Sequence, residues 1–380
     1  MLRKTRTKAR LAVVVGVMAV LAATAQAPTS LKEAYKGDFV IGAAINSAQI
    51  TGQDSRGDAI IEAQFNSISP ENALKWENIH PQPGVYAFDI PDQYVAFGEK
   101  RHMFIVGHNL VWHHQVPDWV FRNDKGEFVG RKTLLKRLRE HIHTVVGRYK
   151  GRIQSWDVVN EALNEDGTLR QSPWLKIIGE DYIAKAFQYA HEADPQAQLT
   201  YNDFALENEP KRKGALALIA RLKSQGIPIT SVGLQGHNGL TWPSIEDEDT
   251  TISAFAKLGV KVVISELDIN VLPHATQQQS AEVSLNVQQD PKLNPYVNGL
   301  PESVQQELAK RYADLFAVYL KHRDVITRVT FWCVTDGDSW LNDWPVKERT
   351  SYPLLFDRGG QPKPAFQAVI RAASEGKTIN

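Results

Sequence analysis

Residues 153–161 read IQSWDVVNE, a short apolar run that leads directly into a carboxylate, Glu161. A run of this length, apolar and nearly free of charge, is typical of a strand buried on both faces of a parallel sheet. Seven further runs of the same kind recur along the chain. The eight runs are 39–45, 67–69, 103–108, 153–160, 199–201, 231–235, 260–264 and 329–331.

Longer amphipathic stretches lie between these runs. The clearest helical patterns are 132–149, 182–193, 211–225 and 303–322. Alternating strands and helices predict parallel βα units, and eight such units predict an α/β fold of the closed (β/α)8 or TIM barrel type. The competing architecture is an open doubly wound sheet. A nucleotide-binding sheet of that kind needs a Gly-rich phosphate fingerprint, and the sequence contains none.

The composition fits one globular domain with a large core. The chain has 380 residues, of which 43% are hydrophobic and 23% charged. The sequence contains no Ser/Thr/Pro/Gly-rich linker of the kind that usually precedes a second domain. We also expect a monomer. Basic and acidic residues are equal in number, which argues against a nucleic-acid partner.

The first 27 residues have the three regions of a secretory signal peptide. A basic segment is followed by an apolar run over residues 11–23 and by the small-x-small site Ala25-Gln26-Ala27. An uncleaved membrane anchor is the alternative, but the apolar run is shorter than the roughly 20 residues that span a bilayer. We therefore expect cleavage after Ala27, a catalytic domain over residues 28–380, a secreted or periplasmic location, and no membrane contact after cleavage. The five basic residues of this segment are lost with it, which leaves a formal net charge of −5.

Polar and aromatic clusters follow nearly every predicted strand. They are Pro70-Glu71-Asn72 with Lys75-Trp76, residues 107–113, Asn160-Glu161, Tyr201-Asn202-Asp203, Gln235-Gly236-His237, Glu266-Leu267-Asp268, and Trp332 with Asp336 and Trp340. The carboxyl ends of barrel strands meet on one face, where active sites of this fold lie. Residues far apart in sequence should therefore become neighbours there.

Two carboxylates enter this face from different strands. Glu161 ends one apolar strand, and burial there should raise its pKa toward the range of a general acid. A structural alternative for Glu161 alone is that it caps the following helix. Glu266 ends the strand of residues 260–264, and two facing carboxylates are the minimum set for glycoside hydrolysis. Asp268 shares its strand face, and His237 should lie beside Glu266; both are expected to support it.

The histidines and tryptophans allow further hypotheses. A metal site would group His108, His113, His114 and His237, but their spacing matches no known zinc motif and the one cysteine, Cys333, gives no help. We expect no catalytic metal and no cofactor. Trp112, Trp332 and Trp340 are predicted to stack on sugar rings. The other tryptophans are assigned to the core or to outer loops: Trp76, Trp119, Trp156, Trp174, Trp242 and Trp344.

The ordered set of motifs resembles the glycoside hydrolase family 10 xylanases. The matching segments are PENALKWE (70–77), GHNLVWH (107–113), WDVVNE (156–161), YND (201–203), GLQGH (233–237), SELDI (265–269) and TFWCVTD (330–336). The resemblance implies retaining endo-hydrolysis of β-1,4-xylan on a (β/α)8 barrel, with Glu161 as acid/base and Glu266 as nucleophile. It also implies that xylan or a xylo-oligosaccharide is the binding partner.

The resemblance assigns the remaining positions as follows. Asn160 would bond the sugar 2-hydroxyl, and His237 and Asp268 would hold Glu266 in place and ionised. The non-reducing side of the cleft would be formed by Glu71, Asn72, Lys75, His108, Trp112 and Gln115. Tyr201 and Gln235 would line the cleavage point, and Trp332 and Trp340 would wall the sugar at subsite −1.

The chain departs from the family pattern at three places. Asn109 stands where Thr is more usual, and Cys333 stands where Gly is more usual. Residues 277–300 form a long polar insertion, which either shapes the leaving-group side or is a surface loop; we favour the surface loop. Three rival functions stay open: a retaining β-1,4-glucanase, a non-catalytic carbohydrate-binding barrel, and a metal-dependent hydrolase.

Overall fold

The computed structural model describes residues 30–275 and 282–378. Its centre is a closed barrel of eight parallel strands. The first strand pairs with both its neighbour in sequence and the last strand, so no edge is left open in the ring. The barrel strands are β1 Val40–Ile45, β2 Ser67–Pro70, β3 Phe104–Val111, β4 Ser155–Asn160, β5 Gln198–Asp203, β6 Ser231–Leu234, β8 Lys261–Asn270 and β9 Ile326–Phe331.

The predicted (β/α)8 architecture is confirmed, and each of the eight predicted runs overlaps one barrel strand. One further strand, β7 at His237–Gly239, pairs in parallel with the outer half of β8. It extends the barrel wall beyond β6 on the side where the strands end. The predicted signal peptide over residues 1–27 lies outside the described residues, as do residues 276–281 of the insertion.

Helices cover the outside of the barrel. They are α1 Leu31–Ala34, α2 Ser47–Ile50, α3 Ser55–Gln64, α4 Trp76–Ile79, α5 Asp89–Lys100, α6 Arg131–Arg148, α7 Pro173–Ile178, α8 Tyr182–Ala193, α9 Glu209–Ser224, α10 Ile245–Lys257, α11 Glu302–Lys321 and α12 Pro364–Thr378. The local sequence determines where several of these helices begin. Ser244 caps α10 by accepting from the Asp247 amide, and α7 combines a Ser172 cap with Pro173 in its first turn. In the described part of the chain, no helix is long and apolar enough to cross a membrane.

The core fills the space inside the barrel and between strands and helices. Every residue of β4 is buried, and the Trp156 ring lies against the backbone of β3 at Gly107. A Cβ atom at Gly107 would lie 2.1 Å from that ring, so only glycine permits this approach. Of the tryptophans assigned to the core or to outer loops, Trp76 and Trp174 are also buried, and Trp119, Trp242 and Trp344 are half-buried.

A stack of aromatic rings and two histidines is buried beneath the loops after β2 and β3. The Nδ1 atoms of His80 and His141 lie 3.1 Å apart, so one ring must donate to the other. His141 stacks on Trp76 with ring centroids 3.7 Å apart, and His80 stacks on Tyr86 at 3.9 Å. Burial lowers the pKa of His80 from 6.5 to about 4 and holds the pKa of His141 well below 6.5. Both histidines are therefore neutral in the folded protein near pH 6.

This stack should make the fold acid-sensitive. Below pH 6.5 the unfolded chain takes up protons that folded His80 does not accept until about pH 4, so stability falls as the pH drops through this window. From pH 7 to pH 5, His80 alone should lower the free energy of unfolding by about 2 kcal/mol. Urea unfolding at both pH values measures this loss.

The matched control is His191→Gln, at an exposed histidine of α8. His80→Gln should lose clearly less stability between pH 7 and pH 5 than the wild type, whereas His191→Gln should lose as much. Equal losses in all three proteins would contradict the assignment.

Cys333 has a backbone conformation that favours glycine. It follows β9 with φ +89° and is 2% exposed. A Cβ atom is strained at this φ, which gives a physical reason for the glycine that the family pattern carries here.

Two substitutions isolate the backbone strain. Cys333→Ala and Cys333→Gly both remove the buried thiol, but only glycine relieves the strain. We expect the glycine variant to be more stable than the alanine variant by about 1 kcal/mol in urea unfolding, the reverse of the usual order in regular structure. An alanine variant at least as stable as the glycine variant would show that the strain is absent.

Candidate active site

A cleft opens at the carboxyl ends of the barrel strands. It brings together residues from the segments at the ends of six of the eight predicted strands. Its lining residues are Glu71, Asn72, Lys75, His108, Trp112, Gln115, Asn160, Glu161, Gln235, His237, Glu266, Val283, Trp332 and Trp340. All but one of these are residues that the sequence assigned to the site; Val283 of the insertion is the addition.

Glu161 stands just after β4 with φ +56°, a backbone conformation uncommon for a residue with a side chain. Its amide donates to the carbonyl of Asn202 at 2.9 Å, which fixes this turn against β5. The carboxyl is nearly enclosed: Trp112 Nε1 donates to Oε2 at 2.8 Å, and Gln235 Nε2 donates to Oε1 at 3.0 Å. Asn160 Nδ2 also donates to Oε1, at 3.1 Å. The side chain is therefore held in one orientation by three donors.

Burial gives Glu161 the protonation state of an acid. Loss of solvation is the largest cause that raises its pKa, the negative charges of Asp203 and Glu266 add to it, and the result is a pKa of about 7. The donors Gln235 and Trp112 oppose this shift but do not cancel it. Glu161 can therefore hold a proton near neutral pH and release it to a substrate.

Glu266 lies on β8, across the cleft, in a different electrostatic setting. Burial pushes its pKa upward, but the hydrogen bond and charge of His237, the charge of His108 and the hydrogen bond from Asn202 together outweigh burial, and the pKa lies below its ordinary value. His237 Nε2 lies 3.3 Å from Oε2, and Asn202 Nδ2 donates to Oε1 at 2.7 Å. This carboxylate is thus ionised at neutral pH.

His237 lies between two carboxylates. Its Nε2 faces Glu266, and its Nδ1 lies 3.1 Å from Asp268 Oδ2. Burial lowers the pKa of His237, but Asp268 and Glu266 outweigh burial and raise it to about 10. Trp340 Nε1 donates to the same Asp268 oxygen at 2.7 Å. Asp268 is therefore behind the cleft wall, where it orients His237 and Trp340.

Asn202 connects the two glutamates, and the sequence interpretation missed it. Its Nδ2 donates to Glu266 and, at 2.8 Å, to Asn160 Oδ1. The expectation that Tyr201 lines the cleavage point is wrong: Tyr201 is fully buried and its hydroxyl donates to Asp203 Oδ2 at 2.5 Å. Side chains alternate along β5, so Asn202 takes the inner face and Tyr201 the opposite one. The sequence did place Asn202 in a strand-end cluster, between Tyr201 and Asp203, but no role was assigned to it.

The opposite wall of the cleft carries polar and aromatic groups suited to a sugar chain. Lys75 Nζ donates to Asn72 Oδ1 at 3.0 Å and lies 5.1 Å from the Trp112 ring centroid. Gln115 Nε2 donates to Glu77, and its amide is 3.5 Å from Asn72 Oδ1. Burial lowers the pKa of Lys75, with Glu266 and Glu71 opposing that shift. Flat rings beside hydroxyl-binding groups are the composition of a carbohydrate site.

Two tryptophans close the cleft on the β9 side. Trp332 meets His108 edge to face at 5.2 Å, and Trp340 stacks on Trp344 at 4.4 Å. His108 Nδ1 is 3.0 Å from Asp157 Oδ2, and its Nε2 is 3.4 Å from the amide of Asn109. The departure at Asn109 therefore adds a polar neighbour to His108 without entering the cleft.

The four histidines of the metal hypothesis lie in three different settings. His108 pairs with Asp157, and His237 pairs with Glu266 and Asp268. His113 and His114 instead meet Glu282, outside the lining of the cleft. The geometry of the cleft itself is that of paired carboxyls, one protonated and one ionised, which suits displacement at a glycosidic carbon.

Comparisons with known proteins agree with this geometry. The family profile described as Glycosyl hydrolase family 10 matches residues 30–372. Endo-1,4-beta-xylanase A of Xylanibacter ruminicola is 44% identical over 92% of this chain and 95% of its own, and a beta-1,4-xylanase of Dictyoglomus thermophilum is 42% identical over 90% of each. The solved structure of a GH10 endoxylanase from a sugarcane soil metagenome superimposes with a TM-score of 0.88 at 48% identity, covering 90% of this chain and 99% of that one. The chain therefore belongs to glycosyl hydrolase family 10.

Proposed function

We propose that this protein is a retaining endo-β-1,4-xylanase that cleaves xylan by double displacement. The observation that carries the proposal is the pair of buried carboxyls in one cleft, with the pKa of Glu161 raised to about 7 and that of Glu266 lowered. Relatives that match most of the chain are named endo-1,4-beta-xylanases, and a structural relative 36% identical is a mutant protein in complex with xylotriose. A rigid xylan-binding barrel without catalysis would not need two carboxyls in opposite protonation states.

In the first step, the ionised Glu266 attacks the anomeric carbon and forms a glycosyl ester. The bond to the glycosidic oxygen breaks, and that oxygen takes the proton of Glu161. Asn202 holds Glu266 Oε1 and leaves the other oxygen beside His237. Asn160, bonded to Glu161 and Asn202, is positioned to bind the sugar 2-hydroxyl.

In the second step, Glu161 is the base. The ester has neutralised Glu266, so one of the negative charges that raised the pKa of Glu161 is gone. The pKa of Glu161 therefore falls once the ester has formed. This keeps Glu161 ionised until a water molecule approaches. Glu161 takes a proton from that water, the water attacks the anomeric carbon, and Glu266 leaves as a carboxylate.

The residues in the walls of the cleft support an assignment of the sugar subsites. Glu71, Asn72, Lys75, His108 and Gln115 offer charged and amide groups to hydroxyls on the non-reducing side. Trp112, Trp332 and Trp340 offer ring faces and edges, and the family resemblance implies that Trp332 and Trp340 leave little room for a hydroxymethyl group at subsite −1. Gln235 holds Glu161 at the cleavage point.

The first residues and the proposed substrate support an exported location for the enzyme. A basic segment, an apolar run and Ala25-Gln26-Ala27 support a signal peptide over residues 1–27 and a catalytic domain over 28–380. Xylan is a polymer found outside cells, so export to the periplasm or the medium fits this activity. We expect the domain to act as a monomer.

Substitution of the two glutamates tests the roles. Glu266→Gln should abolish turnover of both xylan and an activated aryl β-xyloside. Glu161→Gln should slow xylan hydrolysis by roughly 10²–10⁴-fold, because the leaving oxygen loses its proton donor. It should spare the first step on the aryl xyloside, which is seen as a burst of released aryl alcohol.

The control is Glu209→Gln, an exposed glutamate paired with Lys213 on α9, which should behave like the wild type. Equal loss of both steps on the aryl xyloside in Glu161→Gln would contradict the acid/base assignment. Faster hydrolysis of carboxymethylcellulose than of xylan by the wild type would instead identify a β-1,4-glucanase.

The pH profile of kcat/KM should reflect the two carboxyls. Activity should fall as the pH rises through about 7, because Glu161 loses its proton, and should fall in acid as Glu266 gains one. Asp203→Asn removes a negative charge that raises the pKa of Glu161, so the alkaline limb should move to lower pH. Asp181→Asn, at an exposed carboxylate before α8, is the control. An unmoved limb in Asp203→Asn would show that Asp203 does not act on Glu161.

A further inference from the structure

Two adjacent histidines and a glutamate from distant parts of the chain meet beside the cleft. His113 and His114 follow β3, and Glu282 belongs to the insertion after β8. His114 Nε2 is 2.6 Å from Glu282 Oε1, and His113 Nε2 is 3.7 Å from Oε2. One ligand atom from each of the three residues lies within 4.8 Å of the other two. The mechanism proposed above uses none of these side chains.

The three side chains are placed as metal ligands would be, close together and only partly exposed. The imidazole of His113 is 12% exposed and faces Glu282. Both of its ring nitrogens are buried and have no hydrogen-bond partner in residues 30–275 and 282–378. Glu282 faces both imidazoles and the guanidinium of Arg170. Neutral imidazole and ionised carboxylate are the forms that bind metals.

Arg170 supports Glu282 from the other side. Its Nη1 donates to Glu282 Oε2 at 2.6 Å, and its Nε donates to the backbone carbonyl of Glu161 at 3.1 Å. A ligating carboxylate is commonly oriented by such a second hydrogen bond, which here directs Oε1 toward His114. The guanidinium charge also repels a cation, so the affinity should be lower than that of a site without it.

We propose that His113, His114 and Glu282 bind a divalent transition-metal ion, with Zn²⁺ as the best match to two imidazoles and one carboxylate. Zinc accepts this ligand set in a tetrahedron completed by water. Distances of about 2.0–2.2 Å to the metal place neighbouring ligand atoms roughly 3.3 Å apart. The ion takes the place of the proton between His114 and Glu282, and small rotations bring His113 into reach. The side chains are 12%, 26% and 18% exposed, so an ion can enter from solvent.

The ion would have a structural role and would take no part in catalysis. It would tie the insertion after β8 to the segment after β3, where Trp112 holds Glu161. The insertion is also held from the β9 side, since Trp344 Nε1 donates to the Glu282 carbonyl at 3.2 Å. Val283, the next residue, lines the cleft. Metal binding would therefore fix one wall of the substrate site in a chain whose single cysteine allows no internal disulfide.

Direct measurement of Zn²⁺ binding tests the site. The whole protein, produced without a histidine tag and stripped with chelator, is titrated with Zn²⁺ in competition with a chromogenic zinc indicator. We expect one ion per chain with a dissociation constant of about 1–10 μM, because Arg170 weakens a three-ligand site. His114→Gln and Glu282→Gln should each weaken binding at least tenfold.

The matched control is His143→Gln. His143 also faces a glutamate, Glu192, which is paired with an arginine, Arg139, but this group has no second histidine. Its substitution should leave Zn²⁺ binding unchanged, and melting temperatures measured without metal show whether each variant is folded. Saturating Zn²⁺ should raise the melting temperature of the wild type and of His143→Gln, but not that of folded Glu282→Gln. Binding weaker than about 1 mM, or binding that both His114→Gln and Glu282→Gln retain, would overturn the proposal.

Discussion

The positive charge of His237 beside Glu266 is the interaction on which the rest of the site depends. Two buried carboxyls in one cleft repel each other, and burial alone would protonate both. His237 breaks this symmetry because it touches only one of them, and Asp268 keeps it charged from behind. Glu161, which has amide and indole donors but no such cation in hydrogen-bonding contact, keeps its proton. His237, together with the charge of His108 and the hydrogen bond from Asn202, thus gives the two carboxyls opposite protonation states.

The barrel supplies the positions that this electrostatics needs. Four neighbouring strands of the barrel supply the central polar residues of the site. Glu161 follows β4, Asn202 lies on β5, Gln235 follows β6 and Glu266 lies on β8. Parallel pairing brings the ends of these strands to one level, so side chains far apart in sequence share hydrogen bonds. Backbone strain is placed at the same level: Glu161 adopts a positive φ that the Asn202 carbonyl holds in place.

Much of this is predictable from the sequence, and the reasons for success and failure are physical. Apolar runs that end in a carboxylate identify β4 and β8. A strand that is buried on both faces is apolar along its whole length, so it can be recognised without knowing which face its side chains take. The family resemblance implies Tyr201 at the cleavage point, but the structure buries Tyr201 and turns Asn202 to the inner face, because the face of a short strand depends on register with its neighbours. Glu282 and Val283 escape prediction for another reason: an insertion without periodicity gives no signal of where it folds back. The His80–His141 pair is invisible as well, since its members lie 61 residues apart on elements that read as ordinary helices and loops.

Closure of the ring by β1 and β9 has a consequence for how the molecule assembles. Val40 pairs with Arg328, so the ladder that completes the barrel joins nearly the two ends of the domain. Contacts of such long sequence separation form late, because most of the chain must be ordered before they can be made. Until residue 331 is available, β1 remains an unpaired edge with exposed amide and carbonyl groups, a surface open to pairing with other chains. A polypeptide of this topology is therefore most vulnerable to aggregation before β9 has been synthesised. A factor that covers the free edge of β1 until then would favour correct folding.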